Sequence, residues 1–276
     1  MYGPYRRAAQ TGTFIVMFLI PVLNLYEIYT LTGTFYAINI GRLGIADPVV
    51  ILQAIFAAGE LSVPLASAAL FPVALALAFG RVWCGWMCPY HLLADVASWT
   101  RGLFRAKIIG KTGAGSLPVT SSFTANAGRF GFLVLGTAFA GAIGIPVLNY
   151  VNAPGIVSTE AMIFVKERAL SIEFVFLAVL VILELTLAPR FWCRLFCPTG
   201  ALLSLFRMRV TLRVATTIPT PRSACCREKR CTEVCPMGLE AFREGSDLLC
   251  TNCGRCVDAC ASVQGPGRLR FTGFRT

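Results

Sequence analysis

A chain of 276 residues that is 56% hydrophobic and only 14% charged, with mean hydropathy +0.67, does not have the composition of a soluble globular protein. Its apolar residues fall into four separate stretches, which puts it in the membrane class. The formal charge of +11 and the twelve cysteines would suit a nucleic-acid binder or a secreted disulfide scaffold, but the placement of both sets of residues, followed along the chain, excludes those classes.

Residues 1–10 form a short basic leader, with Arg6 and Arg7 just ahead of an apolar run. The paired arginines lack Tat-like flanking residues and no small-residue cleavage site closes the run, so an uncleaved first span is expected over Thr13–Leu31. Glu27 falls near its far end. A carboxylate facing lipid there costs about 2–3 kcal/mol, so it should face protein or the interface, and it is a candidate proton acceptor. Thr32–Ala58 ends in an apolar stretch too short to span, read as an interfacial or re-entrant helix after Asp47-Pro48, with Asp47 as its N-cap. The second span, Leu61–Phe79, runs into Arg81-Val-Trp-Cys84-Gly-Trp-Met-Cys88-Pro89. A long basic loop follows, irregular over Gly110–Gly128, and leads to a third span at Phe130–Tyr150. Val151–Ser171 reads as a short loop of mixed charge. The fourth span, Ile172–Ala188, carries Glu184, a weaker proton-acceptor candidate, and leads into Arg190-Phe-Trp-Cys193-Arg-Leu-Phe-Cys197-Pro198.

With both termini and the 81–129 loop on one side, every Lys and Arg except Arg42, Lys166 and Arg168 lies on that side. The positive-inside rule makes that side the cytoplasm, and the excess charge is then accounted for without nucleic acid. The two cysteine motifs share Arg-x-Trp-Cys-x3-Cys-Pro, and each closes the inward end of a helical hairpin, so the membrane part reads as a duplication. Thiols at i and i+4 share a helix face. Cys84, Cys88, Cys193 and Cys197 could together hold a metal centre or form a redox-active dithiol, or could simply pack beside the tryptophans. His91 is the only histidine. It cannot by itself ligate a bis-histidine haem and reads as a packing or hydrogen-bonding residue, while Trp83, Trp86, Trp99 and Trp192 fit an inner interfacial belt.

Thr216–Arg222, with Pro219 and Pro221, reads as a linker between a membrane domain (1–215) and a cytoplasmic α+β ferredoxin-like domain (216–276). The latter holds Cys250-Thr-Asn-Cys253-Gly-Arg-Cys256-Val-Asp-Ala-Cys260, spaced as the ligand run of a bacterial-type ferredoxin. Paired Cys-x2-Cys units also bind zinc, but so many thiols in one short run crowd a single tetrahedral ion. An imperfect copy lies upstream: Cys225, Cys231 and Cys235 are in register, Glu228 stands where the remaining cysteine belongs, and Cys226 is an extra thiol nearby. In two-cluster ferredoxins the fourth cysteine of each run ligates the other cluster. One complete [4Fe–4S] site is therefore expected from Cys235, Cys250, Cys253 and Cys256, and a second from Cys225, Cys231 and Cys260 with Cys226 or Glu228. Arg227, Lys229, Arg230 and Arg255 make the surroundings positive, which favours reduced clusters and an acidic partner.

In this combination the chain resembles the NapH/MauN family of ferredoxin-type membrane proteins. The resemblance rests on the four spans, Ala46-Asp47-Pro48 followed by Leu52-Gln53, both Cys-x3-Cys-Pro repeats and the paired cluster runs. The stretch from Cys84 to Trp99 is particularly close. It implies a bacterial inner-membrane component that draws electrons from quinol and passes them on, with its clusters on the cytoplasmic side. Its partners would be the quinone pool and other redox proteins, such as a second ferredoxin-type or a cytochrome subunit. NapH-like members serve periplasmic nitrate reduction and MauN-like members accompany methylamine utilisation; Glu228 departs from the NapH pattern and favours the second branch. A maturation factor for a periplasmic enzyme and an iron–sulfur redox sensor are the competing roles. No phosphate loop or nucleophile–base arrangement points to independent small-molecule catalysis.

Overall fold

In the computed structural model the first apolar run folds as one long helix, α1 (Tyr2–Leu25), which takes in the basic leader. The structure describes residues 2–41, 43–60, 62–108, 122–186, 189–208, 210–216, 230–244 and 247–273. The expected first span overran α1. The chain leaves the helix at Tyr26, and Glu27 sits exposed in a turn with φ 60°. Beyond it, Leu31–Thr34 (β1), Ala37–Ile40 (β2) and Leu43–Ala46 (β3) form an antiparallel meander with Leu31 opposite Ile40 and Ala37 opposite Ala46. These short strands are rich in Ile, Leu and Thr, with Gly33 (φ 101°) and Gly41 (φ 59°) in left-handed conformations.

The helix expected after Asp47-Pro48 is α2 (Pro48–Ala58). Asp47 caps it, its Oδ1 accepting from the Val49 amide at 2.9 Å. α3 (Val63–Phe79) follows, then the short α4 (Val82–Trp86) and α5 (Pro89–Ile108). α6 (Ser122–Ile143) starts earlier and ends sooner than the third expected span, closing on Gly144 at φ 69° ahead of Pro146 and a 3-10 turn at Val147–Val151. The segment read as a loop over Val151–Ser171 is largely helical. It forms α7 (Ala153–Glu167), which starts with Pro154 in its first turn and buries Ile156, Val157, Ser158 and Ala161. Its mixed charge hid that apolar face. α8 (Glu173–Thr186), α9 (Phe191–Leu195) and α10 (Pro198–Leu205) complete the second half.

Packing is reciprocal between the halves: α1 lies on α7 and α6 on α2, while α5 packs on α8 and α10 touches α3. Among the described residues two helices, α1 and α6, are long and apolar enough to cross a membrane. α3 has 17 residues and α8 has 14, lengths of about 25 and 21 Å against a hydrocarbon core of about 30 Å.

The C-terminal unit is closed by two antiparallel strands, Arg213–Thr216 (β4) and Leu269–Thr272 (β5), with Val214 opposite Phe271. β4 already begins at Arg213. Between the strands lie α11 (Arg230–Glu233), α12 (Ala241–Glu244) and α13 (Arg255–Gln264), around a core of Val214, Cys231, Cys256, Val257, Cys260 and Leu269. The start of α1 is tied to this unit. The Tyr2 and Gly3 amides donate to the two carboxylate oxygens of Asp258 at 2.8 Å each, and the Tyr2 ring meets Phe271 edge-on at 5.1 Å.

Candidate metal centres

Each Cys-x3-Cys-Pro motif folds as one short helix, a break and a second helix. Cys84 lies within α4. The Cys88 amide closes back on the Trp83 carbonyl at 3.0 Å, and Pro89 then opens α5. The second copy repeats this, with Cys193 in α9, the Cys197 amide donating to the Trp192 carbonyl at 2.9 Å, and Pro198 opening α10. The two thiols of a motif therefore do not share one helix face. Proline lacks the amide needed to continue a helix but suits a first turn, so each second cysteine stands immediately before a new helix. The Gly200 amide donates to Cys197 Sγ at 3.4 Å.

All four thiols line one cavity of about 390 Å³, with Tyr36, Tyr90, His91, Pro154 and Thr251 among its other walls. Residues far apart in sequence meet because the two halves pack face to face. Burial pushes both Cys88 and Cys197 up to about 12. Arg81 lines this space, and Arg129 and Arg190 lie near enough to act electrostatically on its thiols; all three are 4% exposed or less. Arg190 pairs with Asp95 and donates to the His91 carbonyl at 2.8 Å. Arg81 donates to the Leu248 carbonyl at 2.9 Å, and Arg129 to the Gly200 carbonyl at 3.4 Å and to Asn126 Oδ1. Arg81 and Arg129 are held by neutral oxygens, and thiolates on a bound cluster would supply negative charge beside them.

A second cavity of the same volume is lined by Cys235, Cys250, Cys253 and Cys256, the set expected from cross-ligation. Burial pushes the Cys235 thiol up to about 12, with the Leu239 amide, 3.4 Å from the sulfur, pulling the other way. Among the described residues no three His, Cys, Asp or Glu side chains converge tightly enough for a single metal ion. Four cysteines lining one space are the donor set that an iron–sulfur cluster takes. Cys231 and Cys260 are buried together in the adjoining core, and the rest of their expected ligand set, Cys225, Cys226 and Glu228, lies outside the described residues.

The two cavities share a wall. Thr251 lines both, and Gly85 in α4 lies so close that a Cβ there would meet the Thr251 carbonyl at 2.6 Å and Cys253 at 3.3 Å. The contact is clamped by Asn252, whose Nδ2 donates to the Phe79 carbonyl at 2.9 Å and the Leu212 carbonyl at 2.7 Å, while its own carbonyl accepts from Trp86 Nε1 at 3.0 Å. Asn252 has φ 51°, a conformation asparagine tolerates better than most residues. Asn252→Ala is expected to cost about 2–3 kcal/mol, from two lost hydrogen bonds and a strained backbone. The change should appear as a lower melting temperature and faster proteolytic release of the C-terminal unit.

The remaining candidates separate cleanly. Glu184 is 3% exposed and its Oε1 accepts from Tyr90 Oη at 2.8 Å, beside the four-cysteine cavity. Glu27, outside α1 and exposed, lines none of the cavities described here. His91 is a wall of the four-cysteine cavity, 3.9 Å from Asp95. The tryptophans do not make a belt. Trp99 is exposed, but Trp83 stacks on Phe35 at 5.4 Å, Trp86 binds Asn252, and Trp192 is buried among Phe132, Phe176 and Phe196. Sequence reasoning missed Tyr36, Asn152 and Thr199. Tyr36 and Thr199 line the four-cysteine cavity, and Thr199 Oγ1 lies 3.1 Å from Asn152 Oδ1. The only available signal was their position at the tips of Pro-led helices or in a short strand turn.

A family model described as a 4Fe-4S binding domain matches residues 61–111 and 170–214, thus both Cys-x3-Cys-Pro motifs, and a 4Fe-4S dicluster domain matches 206–270. Ferredoxin-type protein NapH of Escherichia coli K12 is 28% identical over 79% of this chain and 72% of its own length, and NapH of Haemophilus influenzae 25% over 86% and 79%. The methylamine utilization ferredoxin-type protein MauN of Paracoccus denitrificans is 32% identical over 71% of this chain and 63% of its own length. The chain belongs to the NapH/MauN ferredoxin-type family. Membership in the NapH/MauN family, with α1 and α6, makes it a membrane protein of iron–sulfur electron transfer. No solved structure matches it.

Proposed function

We propose that this chain takes electrons from quinol at the membrane and delivers them through iron–sulfur centres to redox partners serving a periplasmic enzyme. The observation that carries the reading is the shared wall at Thr251 between the two four-cysteine cavities. Cys84, Cys88, Cys193 and Cys197 would hold one cluster, Cys235, Cys250, Cys253 and Cys256 another, and Cys231 and Cys260 part of a third. Bound there, such clusters accept and release single electrons. The protein's own part is to exclude water, to set N–H groups and buried arginines against the negative charge, and to fix the spacing through Gly85, Asn252 and Trp86. Arg6, Arg190 and Arg255 all reach the Asp95 carboxylate, so the start of α1, the second motif and the cluster helix are tied together at one point.

Four crossings are supported by apolar side chains on the exposed faces of α1 (Ile15, Leu19), α3 (Leu70, Phe71), α6 (Leu135, Phe139) and α8 (Val175, Ile182), and cytoplasmic termini by the distribution of Lys and Arg. An alkaline phosphatase fusion after Lys166 should be active and a C-terminal green fluorescent protein fusion fluorescent; the reverse pattern would invert the topology. Glu228 in the upstream run supports methylamine utilisation over nitrate reduction as the system served.

The reading is tested on anaerobically purified, detergent-solubilised protein. About eight iron and eight acid-labile sulfide per chain are expected from the two described sites, and about twelve of each if the upstream run is loaded. A short-chain quinol should reduce part of this population, followed by low-temperature EPR. Zinc without sulfide, or clusters that dithionite reduces and quinol does not, would overturn it.

A further inference from the structure

Against the other side of Tyr36 lies a third cavity, of about 540 Å³, between the β1–β3 meander and the C-terminal half of α3. The walls are apolar and aromatic, with Phe35, Phe71, Leu75 and Trp83 prominent, and the side-chain polar groups lining it are Tyr36, Asp47 and Thr199 beside Trp83. Tyr36 and Thr199 line the four-cysteine cavity as well. Tyr36 Oη accepts from Trp83 Nε1 at 3.3 Å and donates to Cys88 Sγ at 3.8 Å, so a ring seated here is one side chain away from the thiols.

Asp47 is 6% exposed, and neutral groups hold its carboxylate. Oδ1 accepts from the Val49 amide, and Oδ2 accepts from Thr199 Oγ1 at 2.7 Å and Asn152 Nδ2 at 3.1 Å. Capping α2 needs only one of these bonds. The others join the carboxylate to the tip of the opposite half, and an ionisable group buried there without a cationic partner is a candidate functional residue.

We propose that this cavity seats the head group of the quinol, with Asp47 as its proton acceptor; the inference rests on the quinol-linked reading above. One quinol loses two O–H protons and two electrons to become quinone. The electrons would leave singly past Tyr36 towards Cys84, Cys88, Cys193 and Cys197, where a bound iron–sulfur cluster would accept them. The protons go in turn to Asp47, which releases the first to solvent before taking the second. An apolar isoprenoid tail leaves between α3 and the meander, where Phe71 is 56% exposed. A lipid acyl chain would fit the same walls but has no use for Asp47 or Tyr36.

Three measurements on the full chain test this. A photoreactive azidoquinone should label peptides containing residues 35–48 or 71–83, and Leu75→Trp, which fills the cavity, should abolish that labelling. Asp47→Asn keeps the cap through Oδ1 and puts an NH2 donor in place of Oδ2, which Thr199 Oγ1 and a flipped Asn152 amide can accept. It should bind the azidoquinone normally and keep its dithionite-reducible EPR signals, yet slow quinol-driven reduction at least about tenfold, the loss of one general base. Labelling elsewhere, labelling displaced by phospholipid alone, or full-speed reduction in Asp47→Asn would overturn this site while leaving quinol linkage intact. Failure of the unmodified chain to accept electrons from any quinol would overturn both.

Discussion

Cys197→Ala should lower the iron content by about four per chain, the complement of one cubane, while leaving the signal of the centre at Cys235, Cys250, Cys253 and Cys256 in dithionite-reduced protein. Quinol-driven reduction of that remaining centre should fall at least about a hundredfold, because the step nearest the membrane has lost its acceptor. The expectation follows from geometry, since Cys197 faces Cys84, Cys88 and Cys193 across one cavity and caps the helix opened by Pro198. Cys193→Ser, which keeps an oxygen ligand and the local volume, should give a milder version with an altered EPR spectrum. Unchanged iron in both variants would mean that the four thiols only pack.

Gly85→Val should separate the two centres without removing either. A side chain at residue 85 meets the Thr251 carbonyl at 2.6 Å, well inside contact distance, and its neighbours there are backbone and Cys253 rather than flexible side-chain ends. The loop from Thr251 to Cys253 has to move, and overpacking of this kind costs about 1–3 kcal/mol. Iron content should stay near that of the unmodified chain. Quinol should still reduce the first centre, but onward transfer to the ferredoxin-type centre should slow at least about tenfold in rapid-freeze EPR. Gly85→Ala should lie between the two. Onward transfer at the normal rate in Gly85→Val would show that electrons do not cross at Thr251.

Much of this was legible in the sequence because it is local. The spacing of Cys250, Cys253 and Cys256 is set by one loop, and the cross-ligand Cys235 follows from the ferredoxin pattern; the structure brings those four together. Asp47-Pro48 announces a capped helix within a few residues, and α2 is there. Element ends were less legible. The first apolar run continues past Leu25 in composition, but Glu27 turns the chain in the left-handed region, and nothing in hydropathy marks that point. α7 was hidden because Glu160, Lys166 and Glu167 dilute its apolar face, although Glu160 is buried and accepts from the Ser171 amide at 3.2 Å.

By itself, then, the sequence determined the apolar composition, the duplicated motif and the ferredoxin-type spacing of the cysteines. Each of these depends on composition or on spacings short enough for one turn of chain to enforce. Tertiary structure alone decided that Cys84 and Cys88 meet Cys193 and Cys197, that Thr251 lines both cysteine cavities, and that Tyr36, Asp47 and Thr199 stand together beside them. Those encounters depend on how α1 packs on α7 and α6 on α2, and on where the Pro-led tips of each half insert into the other. Helix periodicity can say which face is buried. It does not say against which partner, and for this protein the choice of partner creates both the paired cysteine sites and the cavity beside them.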